Sequence, residues 1–132
     1  MLPKAICKEL VVRGYDVAVF YAATVHPYET RSYYLERSVD AGVKLFGVYN
    51  RSTLFLDYDN PMREICDDAS VKLFKQVLDE FCPDIVNFHN FLGLSFEIAS
   101  VTKKLGIVST FTPHNYHLID PKLYIYDNNI VP

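Results

Sequence analysis

The apolar and polar positions of this chain alternate between two periods. Asp16 to Ala22, DVAVFYA, is almost continuously apolar and rich in β-branched and aromatic residues, which predicts a strand covered on both faces. Val43 to Val48 alternates as a strand does, and Leu54-Phe55-Leu56 predicts a further short one. Ahead of them, Pro3 to Arg13 reads as a helix, with Ile6 and Leu10 four apart and Gly14 in the position that ends it. A second helix is predicted from Asn60-Pro61, where Leu73, Val77 and Phe81 with Phe74 and Leu78 form an apolar stripe that stops before Cys82-Pro83. Then come a strand at Asp84 to Phe88, a helix from about Leu92 to Lys104 with Ile98, Val101 and Leu105 on one face, and a strand from Ile107 to Thr112 after Gly106. The stretch from Thr24 to Glu36 is too irregular to be more than a loop with a short helix, and Tyr116 to Pro132 has no clear period.

Strands alternating with helices predict an α/β fold, a Rossmann-like parallel sheet with helices on both faces and right-handed crossovers. One domain, 1–132, accounts for the chain, with no internal repeat or linker. Such sheets open with a strand, whereas this sequence opens with a helix, so a first strand is expected upstream of Met1. In a doubly wound sheet that strand is central. Its loss is expected to leave two strand edges facing each other and the chain prone to pairing or aggregation.

Charge and cysteine content narrow the setting. A net charge of −3 gives no general reason to coat nucleic acid or an anionic bilayer. Cys7, Cys66 and Cys82 are odd in number and form no C-x-x-C pair, which suits a reducing, cytoplasmic location. No run approaches the ~18 to 20 apolar residues of a membrane span, and Met1 to Lys4 lacks the apolar core of a signal peptide.

The candidate chemistry lies in two turns. His89-Asn90 and His114-Asn115 both follow the ends of strands, on the edge where open parallel sheets bind ligands. Imidazole donates or accepts a hydrogen bond near neutral pH, and asparagine reads hydroxyl groups. The structural alternative is that these side chains satisfy free backbone groups at strand and helix ends. His117 lies three residues after His114, but a loop gives the two rings no common register and Asp120 is the only carboxylate nearby, so no metal is expected. Glu97 and His26 are weaker candidates, and the ten tyrosines suit half-buried packing better than sugar stacking. No G-x-G-x-x-G or Walker-type loop occurs, and no cofactor is expected.

The run PDIVNFHNFLGLSFEIASVTKKLGIVSTFTPHNYHLIDP resembles the second half of the N-terminal domain of family 4 glycosyltransferases, the GT-B enzymes with two Rossmann-like lobes. KELVVRGYDVAVFYA likewise resembles that family's first helix and second strand. The resemblance implies a fragment of a retaining transferase that moves a sugar from a nucleotide-diphosphate sugar to a glycan or lipid-linked acceptor. It implies that His114 lies nearest the transferred sugar, that His89 lines the acceptor side of the cleft, and that Asn90 and Asn115 neighbour them. Two of the family's parts are not found in this sequence: the opening strand with its Gly-Gly turn, and the C-terminal lobe with its Glu-x7-Glu motif. His117 stands where the family often has an aromatic residue. The 132 residues alone are therefore expected to be inactive. Transferases of this kind often work at the cytoplasmic face of a membrane, though no basic amphipathic stretch here supports docking by itself. The rival reading is a non-catalytic half-lobe that completes its sheet with another polypeptide, as in a split enzyme. A flavodoxin-like or epimerase-like protein is disfavoured by the lack of a phosphate loop.

Overall fold

A computed structural model describes residues 2–51 and 62–114 of the chain. The elements run α1 (Leu2–Val12), β1 (Ala18–Ala22), β2 (Tyr34–Asp40), β3 (Val43–Tyr49), α2 (Met62–Ile65), α3 (Asp68–Phe81), β4 (Ile85–Phe88), α4 (Glu97–Lys104) and β5 (Val108–Phe111). The class is mixed α/β. The strands form two separate sheets among the described residues, one ordered β1-β3-β2 and the other β4-β5. β1 is parallel to β3 and β4 to β5, while β2 is antiparallel to β3.

That antiparallel strand corrects the expectation of an all-parallel sheet; residues 24–33 are loop and turn, and β2 takes up only Tyr34 to Glu36 of the stretch expected to be a loop with a short helix. The cause is a two-residue hairpin. Ala41 and Gly42 both take positive φ, 50° and 81°, as the tight turn that matches strand twist requires. Alanine rarely occupies that conformation, so the turn carries little sequence signal. The short strand expected at Leu54 to Leu56 and the helix start expected at Asn60-Pro61 lie outside the described residues. The helical stripe itself is divided: α2 ends at Ile65, and α3 begins after Asp67, whose extended backbone (φ −133°) serves as N-cap. Cys82 then closes α3 in the left-handed conformation at φ 51°, and Pro83 prevents continuation. α4 starts at Glu97 instead of near Leu92, because Gly93 at φ 72° and the Asn90 side chain, which accepts the Leu92 N–H at 2.6 Å, fold the intervening residues into turns. Gly106, at φ 70°, ends α4 as expected, with the Ile107 N–H reaching back to Thr102 O at 3.0 Å.

One apolar core spans both sheets. Val71, Phe74, Val77 and Leu78 are the buried stripe of α3, and they join Phe46 and Val48 of β3 to Phe88, Phe91, Ile98 and Val101. Phe74 is the hinge of this packing, with its ring 5.2 Å from Phe20 of β1 and 6.4 Å from Phe88 of β4.

A buried polar cluster fixes the ends of these elements. Arg51, just past β3, donates to Asp67 at 3.0 Å, and the two side chains are only 2% and 10% exposed. Ser70 donates to the same carboxylate at 2.6 Å. Ser95, ahead of α4, donates to Ile65 O at 2.7 Å and accepts the Asp67 and Glu97 N–H groups. The end of β3, the start of α3 and the approach to α4 are thereby pinned to one edge. Burial pushes the Asp67 carboxyl up, but the hydrogen bonds from Ser70 and Arg51 and the guanidinium charge outweigh it, leaving the group below its ordinary value of 3.8.

Two outcomes follow from these contacts. A Cβ on Gly42 would lie 2.8 Å from Val11 Cγ1 and at unfavourable φ, so Gly42→Ala should cost about 1 to 3 kcal/mol in a urea titration. Because the folded pKa of Asp67 is depressed, its contribution is present above its unfolded value and is lost as pH falls through the folded one. Asp67→Ala, which removes the hydrogen bonds to Ser70 and to the buried Arg51 guanidinium, should lower stability by about 1 to 3 kcal/mol at pH 7 and flatten the acid limb of the stability profile.

Candidate functional site

The parallel pairing of β4 and β5 decides where the two predicted histidines fall. Phe88 pairs with Phe111, and the Thr112 N–H donates to Phe88 O at 2.8 Å, so the two strands end side by side. His89 is the next residue after β4, and His114 lies three beyond the end of β5. The imidazoles meet: His89 Nδ1 is 2.8 Å from His114 Nε2, with ring centroids 5.1 Å apart and planes 21° from parallel.

Two nitrogens at that separation share one proton. One ring donates, the other accepts, and a second proton between them would set two donors against each other. Partial burial, followed by the nearby His114 charge, lowers the His89 pKa below its ordinary 6.5 and favours the neutral ring. His89 is half-buried and His114 exposed. Among the described residues, nothing is hydrogen-bonded to the outer nitrogens, His89 Nε2 and His114 Nδ1. The pair therefore offers solvent one acceptor or donor on each ring.

The other predicted residues take different places. Asn90 sits beside His89, but its Oδ1 is engaged by the Leu92 N–H, leaving Nδ2 as its outward group. Asn115, His117 and Asp120 lie outside the described residues. Glu97 is the first residue of α4, and its N–H is capped by Ser95. No group of three or more metal-binding side chains occurs among the described residues. A cavity of about 320 Å³ between α4 and β5 is lined by Phe88, Phe91, Phe96 and Phe111 with Ala99, Ser109 and Thr110. Neither histidine lines it, and its walls hold no titratable group.

His26, a lone loop histidine in the sequence, is the centre of a second cluster. Its Nδ1 accepts the N–H groups of Tyr28 and Glu29 at 3.2 and 2.9 Å, so the proton is on Nε2, which donates to Glu36 at 3.0 Å. Its ring lies 5.0 Å from that of Tyr34 and 5.1 Å from that of Tyr49. With every ring position engaged, His26 shapes the loop after β1 and is not free for a ligand. The Glu36 carboxyl is held below its ordinary value chiefly by His26. Burial, with hydrogen bonds to Tyr21 and Glu36, pushes the Tyr49 phenol up to about 12. Sequence reasoning missed this cluster and the Arg51–Asp67 pair, because their partners are far apart in the chain. The one local signal was Asp67 placed three residues before Ser70, an N-terminal helix pattern.

No family model, curated protein or solved structure matches this chain.

If the His89 pKa is lowered partly by its neighbour, His114→Ala should move it upward, toward 6.5 but not fully to it, since burial remains. The Cε1–H resonance of His89 followed through a pH titration measures this. An unchanged midpoint would show that the rings do not meet in solution.

Proposed function

We propose that the chain is the acceptor-side, Rossmann-like lobe of a retaining GT-B glycosyltransferase of family 4, with His89 and His114 at the sugar-transfer cleft. The observation that supports this best is the meeting of the two imidazoles past the carboxyl ends of neighbouring parallel strands, the edge where such sheets hold ligands. Two rings with outward-facing nitrogens suit hydroxyl groups, which offer both a donor and an acceptor. In this reading His114 holds the sugar being transferred and His89 shapes the acceptor pocket, with Asn90 Nδ2 and Asn115 beside them. The acceptor oxygen forms its bond to the anomeric carbon and its proton passes to the nucleoside diphosphate, which departs with the electron pair of the broken C–O bond, leaving a net retained configuration. The donor would be held by a second lobe, and the acceptor would be a glycan or lipid-linked sugar. Work in the cytoplasm, or at the cytoplasmic face of a membrane, belongs to the same reading. Among the described residues, no helix is long and apolar enough to cross a membrane.

In the same reading the exposed ring of Tyr28, in the loop after β1, gives a sugar a flat face to stack on. The cluster around His26 holds that loop in place.

A panel of methyl glycosides and short oligosaccharides, added to the chain while the histidine Cε1–H resonances are followed, tests the proposal. An accepted glycan should shift His89 and His114 and leave His26 unmoved. Nucleoside diphosphate alone should shift neither, and nucleotide-sugar turnover should be undetectable. The proposal fails if no sugar shifts the pair, or if the chain turns over a nucleotide sugar and loses that activity on His114→Ala.

A further inference from the structure

The loop after β1 is closed by a side chain that can change its charge. Pro27 has no N–H, so the first backbone donors after His26 belong to Tyr28 and Glu29. Both point at His26 Nδ1, at 3.2 and 2.9 Å, much as an asparagine side chain closes a turn on the backbone that follows it. An imidazole nitrogen accepts only while it carries no proton. Neutral His26 therefore closes this turn, and doubly protonated His26 cannot, because its Nδ1–H would point at two N–H groups.

The other contacts of the ring hold it in either state. Nε2–H donates to Glu36 of β2 at 3.0 Å, and the ring stands edge-on to Tyr34 of β2 and Tyr49 of β3. A positive ring strengthens its bond to the Glu36 carboxylate. The ends of the loop do not depend on Nδ1 either. Asn50 Oδ1 accepts the His26 N–H at 2.8 Å, and Asn50 Nδ2 donates to Glu29 O and Arg31 O at 2.7 and 3.0 Å. What a second proton breaks is thus confined to the bonds of the Tyr28 and Glu29 N–H groups.

We infer that His26 is a proton-operated latch: the neutral ring closes the turn from Pro27 to Glu29 and fixes Tyr28, and a second proton on the ring opens it. Tyr28 is the side chain this latch places, 93% exposed and with its ring 6.4 Å from that of His26. The surrounding groups keep their charge while the imidazole titrates, since carboxyls and phenols ordinarily change charge outside the range pH 5 to 8 and imidazole within it. Hydrogen bonds from Arg31 hold the Glu29 carboxyl down at about 2, and His26 chiefly holds Glu36 below its ordinary value. Burial, with the hydrogen bond to Tyr21 of β1, pushes the Tyr49 phenol up to about 12. Arg31 stays positive, paired to Glu29 and lying over the Tyr34 ring. The latch is therefore closed at higher pH and opens as pH falls through the imidazole titration. Because the closed turn excludes the second proton, the ratio of closed to open falls up to tenfold per pH unit. The inference is independent of what His89 and His114 bind.

The test is solvent exchange of the Tyr28 and Glu29 amides on the whole chain between pH 8 and 5, corrected for the intrinsic effect of pH, with the His26 Cε1–H resonance followed in the same samples. Both amides should be protected at pH 8. Their protection should fall by up to about tenfold per pH unit as the ring titrates, and vanish once it is fully protonated. The Lys44 amide, bonded to Val17 O at 2.9 Å, should keep its protection throughout. His26→Asn leaves an acceptor for the same two N–H groups and no proton to take up, so its turn should stay closed at every pH. The contrast with Lys44 within the unaltered chain decides the matter even if that variant does not fold. Four results overturn the inference: no protection at pH 8, protection that stays flat across the His26 titration, loss at Lys44 in step with Tyr28, or the same pH dependence in His26→Asn.

Discussion

Everything in this molecule that resembles a site depends on the apolar face of α3 holding two sheets that share no backbone hydrogen bonds among the described residues. A continuous sheet would carry register from one strand to the next through its ladder. Here the β1-β3-β2 and β4-β5 sheets are related through side chains, with Phe74 between Phe20 and Phe88. Dispersion and hydrophobic contacts of this kind are strong in sum but not directional. Orientation must come from elsewhere.

It comes from the polar cluster at the strand ends. Arg51, Asp67, Ser70 and Ser95 are hydrogen-bonded with little solvent contact; the Arg51–Asp67 and Ser95 bonds join elements that the apolar core alone would let slide, and the Ser70–Asp67 bond braces the start of α3. A buried ion pair is a weak source of net stability, since desolvation offsets much of the attraction. Its geometry is exacting, however, and here it sets which end of α3 faces which end of β3. The histidine pair inherits that order. Once β4 and β5 are parallel and in register, residues shortly after each strand are brought within a hydrogen bond of one another. Partial burial, together with the nearby His114 charge, then lowers the His89 pKa and favours its neutral form.

The same organisation separates two roles that look alike in sequence. His26 and His89 both follow strands. His26 is surrounded by donors, a carboxylate and two tyrosine rings, and every ring nitrogen is used in holding the loop. His89 meets one partner and keeps a nitrogen toward solvent. The difference lies in neighbours supplied by β2 and β3 in one case and by β5 in the other.

The helices were legible from local rules: the Ile6–Leu10 spacing, the α3 stripe, and the stops at Gly14, Cys82-Pro83 and Gly106. So were the apolar strands β1, β3, β4 and β5, and the placement of His89 and His114 beyond strand ends. These depend on periodicity and backbone preference, which act over a few residues. β2 was not legible, because its hairpin turn uses Ala41 in a conformation that glycine or asparagine usually occupies. Nor was the true start of α4, decided by Gly93 and the Asn90 side chain. The sequence by itself determined that α1, α3 and α4 are helical, that β1, β3, β4 and β5 are extended, and where His89 and His114 stand relative to strand ends. Only the tertiary structure decided that those rings touch, that Arg51 finds Asp67, and that Phe74 packs between Phe20 and Phe88. Those are pairings between residues distant in the chain, and no local pattern encodes a partner.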